Sequence, residues 1–600
     1  MQNSPSIIIP QLIQAFNKRE YNVVLDMIKL NPTLLRVDAV VPQLQASALR
    51  KLGFVNEATK AYEKGLKRFP SACDLMNSFG NLLLEVGQNK KALLLFSKAN
   101  KISPESYDYK YNLARTLFAD ERYAEAEKNV RELIKVHPLK LDLLLMLSSI
   151  LSQKGQNVEA EKYLLQILEI DSSNIKALNN LGNIKRSIGQ QDEALIFYRR
   201  AMDTGAAGAE IYQNLAALLA LKGIHKDSLE VYEQGLSKYP LNVTLHKEYA
   251  HFAWIQNTDS PFALLEKVLS TEQPGLVLAY AELMLKVDDF EKAKLWLEKL
   301  VAKQDPSIQI AAVASLSNAL RGLGQFQEAL DVINSLPNTK SAELLPLLIE
   351  KSYSLLSLDR AKEAISVLEL VCRIAPLNQG YWTLLSTAYK ANGDETKYQT
   401  LCQYQDFVNV TSLLENSEEN MHFINELAGY LNSLHSSTKH PIGQSLRNGT
   451  QTFENLLDSE HYLIQTLKTA LKNRAKSFVC SLSTQKKHPF LSRIHSNLQF
   501  IGSWSVRLRK AGFHKSHYHS EGWLSGVLYV DVPDEVRENG NGWLVFGRPD
   551  IKGVEMLEDF AIKPLAGNVV FFPSYMWHGT NPIYSDTQRL TVAFDIVPES

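Results

Sequence analysis

Two series of small residues recur through the first part of this chain at a fixed interval of 34 positions. Ala46, Gly80, Ala114, Ser148, Gly182 and Ala216 form one series. Ala58, Ala92, Ala126, Ala160, Ala194 and Ser228 form the other, 12 positions on. A period of this length marks one supersecondary unit stacked on copies of itself. Each unit reads as two antiparallel helices too short to bury their apolar faces alone. Where two such helices cross, only a small side chain lets the backbones approach. A stack of hairpins is a surface for holding something, so the chemistry must be sought elsewhere in the chain.

Further series share the period. Gly53, Gly87, Gly155, Gly189 and Gly223 fall between the helices, where a left-handed turn suits glycine; Glu121 interrupts the row. Tyr62, Phe96, Tyr198 and Tyr232 fill the groove between neighbours, with Val130 and Leu164 in two units. Pro70, Pro104, Pro138 and Pro240 stop the second helix. Small residue, turn glycine, small residue, aromatic and proline at these offsets resemble the tetratricopeptide repeat. The regular array spans 39–242. A degenerate continuation over 243–400 carries Ala293, Gly324, Ala329, Ala364 and Gly393 at looser spacing, with a distorted unit expected in 243–278. Residues 1–38 read as capping helices, since a terminal unit meets water on one face.

A chain of 600 residues exceeds what one compact core organises, so several domains are expected. The net charge of −1 gives no basic excess for nonspecific nucleic-acid binding. Cys73, Cys372, Cys402 and Cys480 are too few and scattered for a disulfide framework or zinc site, and imply a reducing compartment. The start lacks a basic segment followed by a sustained apolar run. No stretch approaches the about 20 apolar residues of a membrane span. A cytoplasmic location follows, with no membrane and no nucleic acid as partner.

The texture changes near residue 405. Residues 420–436 and 453–473 read as helices around a polar loop, "SSTKHPIGQSLRNGTQT". From 478 onward short β-rich runs dominate, among them "FIGSWSVRLRKAGF", "WLSGVLYVDVP", "GWLVFG", "NVVFFPS" and "RLTVAFDIV". Turn-bounded strands at this spacing predict a sandwich or jelly roll. Its histidines are unusually placed. In "HKSHYHSEGWLSGVLYV", His517 and His519 are two apart, on one side of an extended strand, where they can chelate one metal ion. Glu521 shares that face if the strand stays regular. His578 follows at the end of another apolar strand, and Arg589 opens the last one. An inward-pointing guanidinium needs an anion, and a dicarboxylate would supply it.

The stretches "GQSLRNGTQT", "SWSVRL", "HYHSEGWLSGVLYV", "GWLVFGRPD", "PLAGNVVFFPSYMWHGTNP" and "QRLTVAFD" together resemble the 2-oxoglutarate/Fe(II)-dependent oxygenases. The resemblance covers about residues 440–598. It implies a double-stranded β-helix (jelly-roll) domain with supporting helices over 405–600, after an all-α tetratricopeptide-repeat superhelix. It implies Fe(II), 2-oxoglutarate as cosubstrate and O2, with ascorbate as a supporting reductant. That family uses a His-x-carboxylate pair, a distal His and an Arg some ten residues beyond. Here two ligand sets remain open: His517, His519 and His578, or His519, Glu521 and His578. The resemblance favours His517. It assigns the far carboxylate of 2-oxoglutarate to Arg589, with Thr591 donating a hydrogen bond. Arg507 is a second carboxylate candidate that reads as a surface residue. His514 is expected outside the metal's coordination shell, and Trp523 and Trp577 are expected as core or pocket wall.

The implied activity is oxidative decarboxylation of 2-oxoglutarate coupled to C–H hydroxylation, with the repeats recruiting a protein or peptide substrate. Two alternatives stand beside it: a small-molecule oxygenase whose repeats are an assembly scaffold, and a non-enzymatic regulator that binds partners through its repeats. A sugar-transferase role finds no support, because the last third lacks a βαβ pattern.

Overall fold

In the computed structural model, the described residues are 4–336, 344–452, 455–537, 540–584, 586 and 588–599. Residues 1–3 of the expected cap, 337–343 of the degenerate array, 453–454 of the expected helix 453–473 and residue 600 lie outside them. The chain divides into two compact units, Met1–Asn214 and Leu215–Ser600.

The first unit consists of helical hairpins. Val40–Lys51 pairs with Val55–Arg68, Cys73–Glu85 with Asn89–Ile102, Tyr107–Ala119 with Tyr123–Val136, Leu141–Gln153 with Asn157–Ile170, and Ile175–Ser187 with Gln191–Asp203. A further pair, Pro5–Asn17 and Tyr21–Leu30, precedes them. The small residues sit at the crossings: Ala46, Ala114, Ala58, Ala92, Ala126, Ala160 and Ala194 are completely buried. Gly80 shows why. A Cβ there would stand 2.6 Å from the Phe96 ring. The turn glycines adopt φ of +72° to +84° at Gly53, Gly87, Gly155 and Gly189. Glu121 adopts the same left-handed conformation at φ +59° without being glycine. The hairpin geometry imposes the turn, and the residue follows at some strain.

The second unit opens with more hairpins. The distorted unit expected at 243–278 is a full helix, Val243–Ile255, followed by a shortened one, Ala263–Val268. The hairpins continue to Gln379–Ala391 and Glu395–Leu401, and Ala293, Ala329 and Ala364 are fully buried at their crossings. No helix among the described residues is long and apolar enough to cross a membrane.

A curled antiparallel sheet of nine strands follows: β1 (Asn409–Ser412), β2 (Leu446–Gln451), β3 (Leu498–His517), β4 (Leu524–Asp531), β5 (Leu544–Phe546), β6 (Phe560–Ile562), β7 (Asn568–Pro573), β8 (His578–Thr580) and β9 (Arg589–Pro598). Its order is β1-β7-β4-β9-β3-β8-β5-β6, with β2 beside β3, a jelly-roll arrangement. β3 turns the corner. Its first part pairs with β9 and its last part with β8. Between them Ala511 takes φ +57°, and a Cβ on Gly512 would stand 2.6 Å from a backbone oxygen. Helices Ser417–Ser433 and Tyr462–Ser481 pack their apolar faces into the same core as β7 and β9.

Two elements depart from the sequence reading: the helix expected over 453–473 runs Tyr462–Ser481, and a strand stands where a loop is expected. The polar loop expected between the helices contains β2, paired with β3 over 446–451. Its polarity concealed it: Thr450 is buried, and its hydroxyl lies 2.9 Å from His435 Nδ1, while His435 Nε2 lies 3.0 Å from Ser505 Oγ. The hydrogen bonds satisfy groups that would otherwise argue against burial.

Two outcomes follow. Gly80→Val should destabilise the chain by about 1–3 kcal/mol through overpacking against Phe96. Adding Phe96→Leu should recover part of that loss in urea unfolding. Burial, with Arg507 and Arg509 adding to it, pushes the His435 imidazole from 6.5 down to about 3. Its folded value is depressed, so the unfolded chain takes up the proton first. Its contribution to stability is complete above pH 6.5 and falls as the pH drops from 6.5 toward 3, by up to about 1.4 kcal/mol per pH unit. His435→Gln should flatten the wild-type loss of stability in that window, measured by denaturant titrations at a series of pH values.

Candidate metal centre

β9 builds one wall of a cavity by simple alternation. Arg589, Thr591, Ala593 and Asp595 all line it, every second residue of one strand face. β3 supplies Trp504, Val506, His514 and His517, and β4 supplies Ser525 and Val527. The cavity has a volume of about 270 Å³.

His517 and His578 are direct cross-strand partners in the β3–β8 pair, with ring centroids 4.2 Å apart. β3 ends at His517, and the chain then leaves the sheet. The backbone N–H of His519 donates to Ser574 O at 3.0 Å, which turns its ring back into the cavity. Its centroid lies 5.2 Å from His517 and 5.1 Å from His578. One ligand atom from each of the three imidazoles falls within 4.8 Å of the others. The regular strand face expected through Glu521 is absent. Glu521 is exposed on the bend and does not line the cavity.

Each imidazole has its Nδ1 committed. His517 Nδ1 donates to Lys515 O (2.9 Å) and His578 Nδ1 to Met576 O (2.9 Å). His519 Nδ1 lies 2.6 and 2.7 Å from the two carboxylate oxygens of Asp595. These partners fix a tautomer that leaves every Nε2 lone pair available. Burial, then the charge of His519, pushes His517 down to about 3. Burial also drives His578 well below the ordinary range. At His519 burial pulls downward, but the charge of Asp595 and its hydrogen bond more than offset it, and the net shift is upward. Asp595 is itself held by the Ser525 hydroxyl, which donates to Oδ1 at 2.6 Å.

Arg589 is almost fully buried at the cavity wall. Its guanidinium stands 5.0 Å over the Tyr529 ring, and one Nη donates to Gly542 O at 2.8 Å. Its Nε is buried with no hydrogen-bond partner, and burial pulls its pKa down, opposed only by Tyr529. Thr591, also buried, sits two residues along the same face. A buried guanidinium at the cavity wall, with no carboxylate paired to it among the described residues, fits an anionic ligand. Three converging imidazoles with Nδ1 engaged elsewhere fit a divalent first-row metal, which displaces any proton on Nε2. The donor set and the buried cation together therefore suit Fe(II) and a dicarboxylate.

The remaining candidates separate cleanly. Arg507 pairs with Leu590, one register step from the cavity face, and its guanidinium reaches toward His435 O at 3.4 Å. His514 lines the cavity, outside the three-histidine group, with Nδ1 3.0 Å from Ser445 Oγ. Trp523 is core, donating to Phe490 O, and Trp577 donates to Thr387 Oγ1; neither lines the cavity. Asp595 was missed by sequence reasoning, although the period-2 register running from Arg589 through "RLTVAFD" contains it.

Residues 502–595 match the family described as "Putative 2OG-Fe(II) oxygenase". Residues 111–175 and 175–206 match tetratricopeptide repeat families. The chain thus carries tetratricopeptide repeats over 111–206 and, over 502–595, a stretch similar to the family described as putative 2OG-Fe(II) oxygenase. No curated protein matches it in sequence. Solved structures with similar helical arrays include YrrB, a TPR protein with an unusual peptide-binding site, at 22% identity and TM-score 0.26 over 30% of this chain and 90% of that one. A thermophilic TPR protein from Thermus thermophilus is 23% identical, with TM-score 0.28, over 30% of this chain and 100% of that one. Yeast Tom70 is 13% identical, with TM-score 0.34, over 65% of this chain and 96% of that one.

Proposed function

We propose that the chain is a 2-oxoglutarate- and Fe(II)-dependent hydroxylase of the cytoplasm whose repeat array recruits a protein or peptide substrate. The observation that carries this reading is the convergence of His517, His519 and His578 with all three Nδ1 atoms already engaged. His517, His519 and His578 would hold the iron, Arg589 would pair with the far carboxylate of 2-oxoglutarate, and Thr591 would donate a hydrogen bond to it. Bound iron, with 2-oxoglutarate and O2, supplies decarboxylation of the keto acid to succinate coupled to hydroxylation of a C–H bond.

The protein's own part is orientation and shielding. Asp595 holds the His519 ring through Nδ1, and Ser525 holds Asp595. Arg589 supplies a fixed, always-charged anchor whose charge is uncompensated until an anion arrives. Trp504, Val506, Val527 and Phe572 give the cavity an aromatic and aliphatic part beside its polar groups. The repeats support a polypeptide substrate, since stacked hairpins present extended binding surfaces. The four cysteines, all free, accord with a reducing compartment.

Under anaerobic conditions Fe(II) followed by 2-oxoglutarate should give the weak visible charge-transfer band of the joint complex. His578→Ala should abolish it. Arg589→Ala should weaken 2-oxoglutarate binding far more than metal binding; equal loss of both would make Arg589 structural. No band in the wild-type chain, with iron unbound, would leave a repeat-based binding protein.

The role given to Asp595 has its own readout. Asp595→Asn removes the charge behind His519 while keeping its volume. Co(II) affinity should fall about 10–100-fold, the usual cost of losing such a partner. Unchanged affinity would sink the assignment.

A further inference from the structure

The segment that carries His517 and His519 is gripped from outside the sheet. Tyr518, between them, sends its hydroxyl to within 2.8 Å of the Tyr353 hydroxyl on helix Leu345–Ser357. Its ring meets that of Trp577 edge to face at 5.0 Å, and Trp577 immediately precedes His578. A later helix of the array, Gln379–Ala391, holds both segments by hydrogen bonds. Gln379 N–H donates to Ser520 O at 2.8 Å. The Thr383 hydroxyl donates to Tyr575 O at 2.6 Å, and Trp577 Nε1 donates to Thr387 Oγ1 at 2.8 Å. All three of these partners lie within three residues of a histidine of the centre.

Gly380 supplies the steric condition. A Cβ there would stand 2.5 Å from Tyr518 Cε2, so only glycine lets the Tyr518 ring lie against the helix. Gly380 does not have a positive φ. Its missing side chain serves the contact and not the backbone. Tyr353 is fixed in turn, with the Arg321 guanidinium 4.5 Å over its ring and Arg321 bound to Glu350 at 2.7 Å.

We propose that Tyr353 and Gly380, two residues of the repeat array, are positioning residues of the metal centre. They act through Tyr518, whose placement sets how far apart His517 and His519 present their rings. This inference rests on the metal-binding reading above. The physical reason is that a ligand set works only when held to about half an ångström, and the 518–521 segment has left the sheet that would otherwise hold it. The helices replace the missing strand hydrogen bonds.

Co(II) alone is the probe, titrated into the full chain, with affinity and the visible d–d spectrum as readouts and thermal unfolding measured alongside. Gly380→Ala should weaken Co(II) binding about tenfold or more and change the d–d band. Tyr353→Phe, which removes one atom and strands the Tyr518 hydroxyl, should weaken it several-fold. Tyr353→Phe with Tyr518→Phe should recover most of that loss, because no buried hydroxyl is left unpaired. Gly553→Ala is the control. It drives a Cβ into the Phe326 ring (2.9 Å) at another contact between helices and β-domain, and should lower the melting temperature with Co(II) affinity kept. The proposal is overturned if Tyr353→Phe and Gly380→Ala bind Co(II) as the wild type does, or if Gly553→Ala loses affinity equally. Should Gly380→Ala fail to fold, the two Tyr→Phe variants decide alone. A wild-type chain that binds no Co(II) overturns the metal reading and this coupling together, whereas wild-type binding with unaffected variants overturns the coupling only.

Discussion

The register of β3 is the constraint on which the site depends. One strand faces two partners in succession. Against β9 it sets Val506 opposite Thr591, which turns Arg589, Thr591, Ala593 and Asp595 inward together. Against β8 it sets His517 opposite His578, which brings two imidazoles side by side. A slip of one residue in either pairing would move every one of these side chains to the other face. The corner at Ala511 and Gly512 joins the two registers, and the left-handed backbone there is the cost of letting one strand serve both. His517, His578 and Arg589 are therefore placed by the two pairings of one strand, and their separation follows from strand geometry.

Around that frame the electrostatics are arranged by subtraction. Burial strips the three histidines and Arg589 of water. Each Nδ1 regains a partner in a carbonyl or in Asp595, so only the Nε2 lone pairs stay open. Arg589 regains only a carbonyl on one Nη and leaves its Nε bare. Among the described residues the cavity thus holds three imidazoles with Nδ1 engaged and a buried guanidinium with no paired carboxylate. Asp595, behind the histidines, engages the Nδ1 of His519 and leaves that ring's Nε2 facing the other two.

Much of this was legible in the sequence wherever contact demanded a specific residue size or spacing. The hairpins were readable because a crossing accepts only Ala, Gly or Ser, and Phe96 against Gly80 shows how sharply. His517, His519, His578 and Arg589 were readable because residue type and strand ends coincide. Glu521 was not resolvable, since nothing in "HYHSEGW" announces that the strand stops at His517. β2 was hidden because its buried groups are polar and satisfied by His435 and Ser505. Trp577 read as core or pocket wall and Tyr518 drew no reading, because their partners Thr387 and Tyr353 lie 190 and 165 residues away.

The loosening of the 34-residue period after residue 242 has a physical cause in the same contacts. Helices of the first unit pack against their neighbours in the array. Those of the second unit also answer to the β-domain. Ile255 O accepts from the backbone of Thr438 and Lys439, and Trp254 Nε1 donates to His440 O. Asp288, in the turn after helix Pro274–Lys286, binds Lys515 at 2.9 Å, two residues before His517. Lys390 binds Asp559, and Thr383 and Thr387 hold the His578 segment. A helix face that must match a curved sheet cannot keep the residues a self-stacking repeat requires, so its length and turn spacing adjust to the second partner. The degenerate stretch is the part of the array whose sequence is shared between two packing problems, and its last helices are where the repeat meets the histidine cluster.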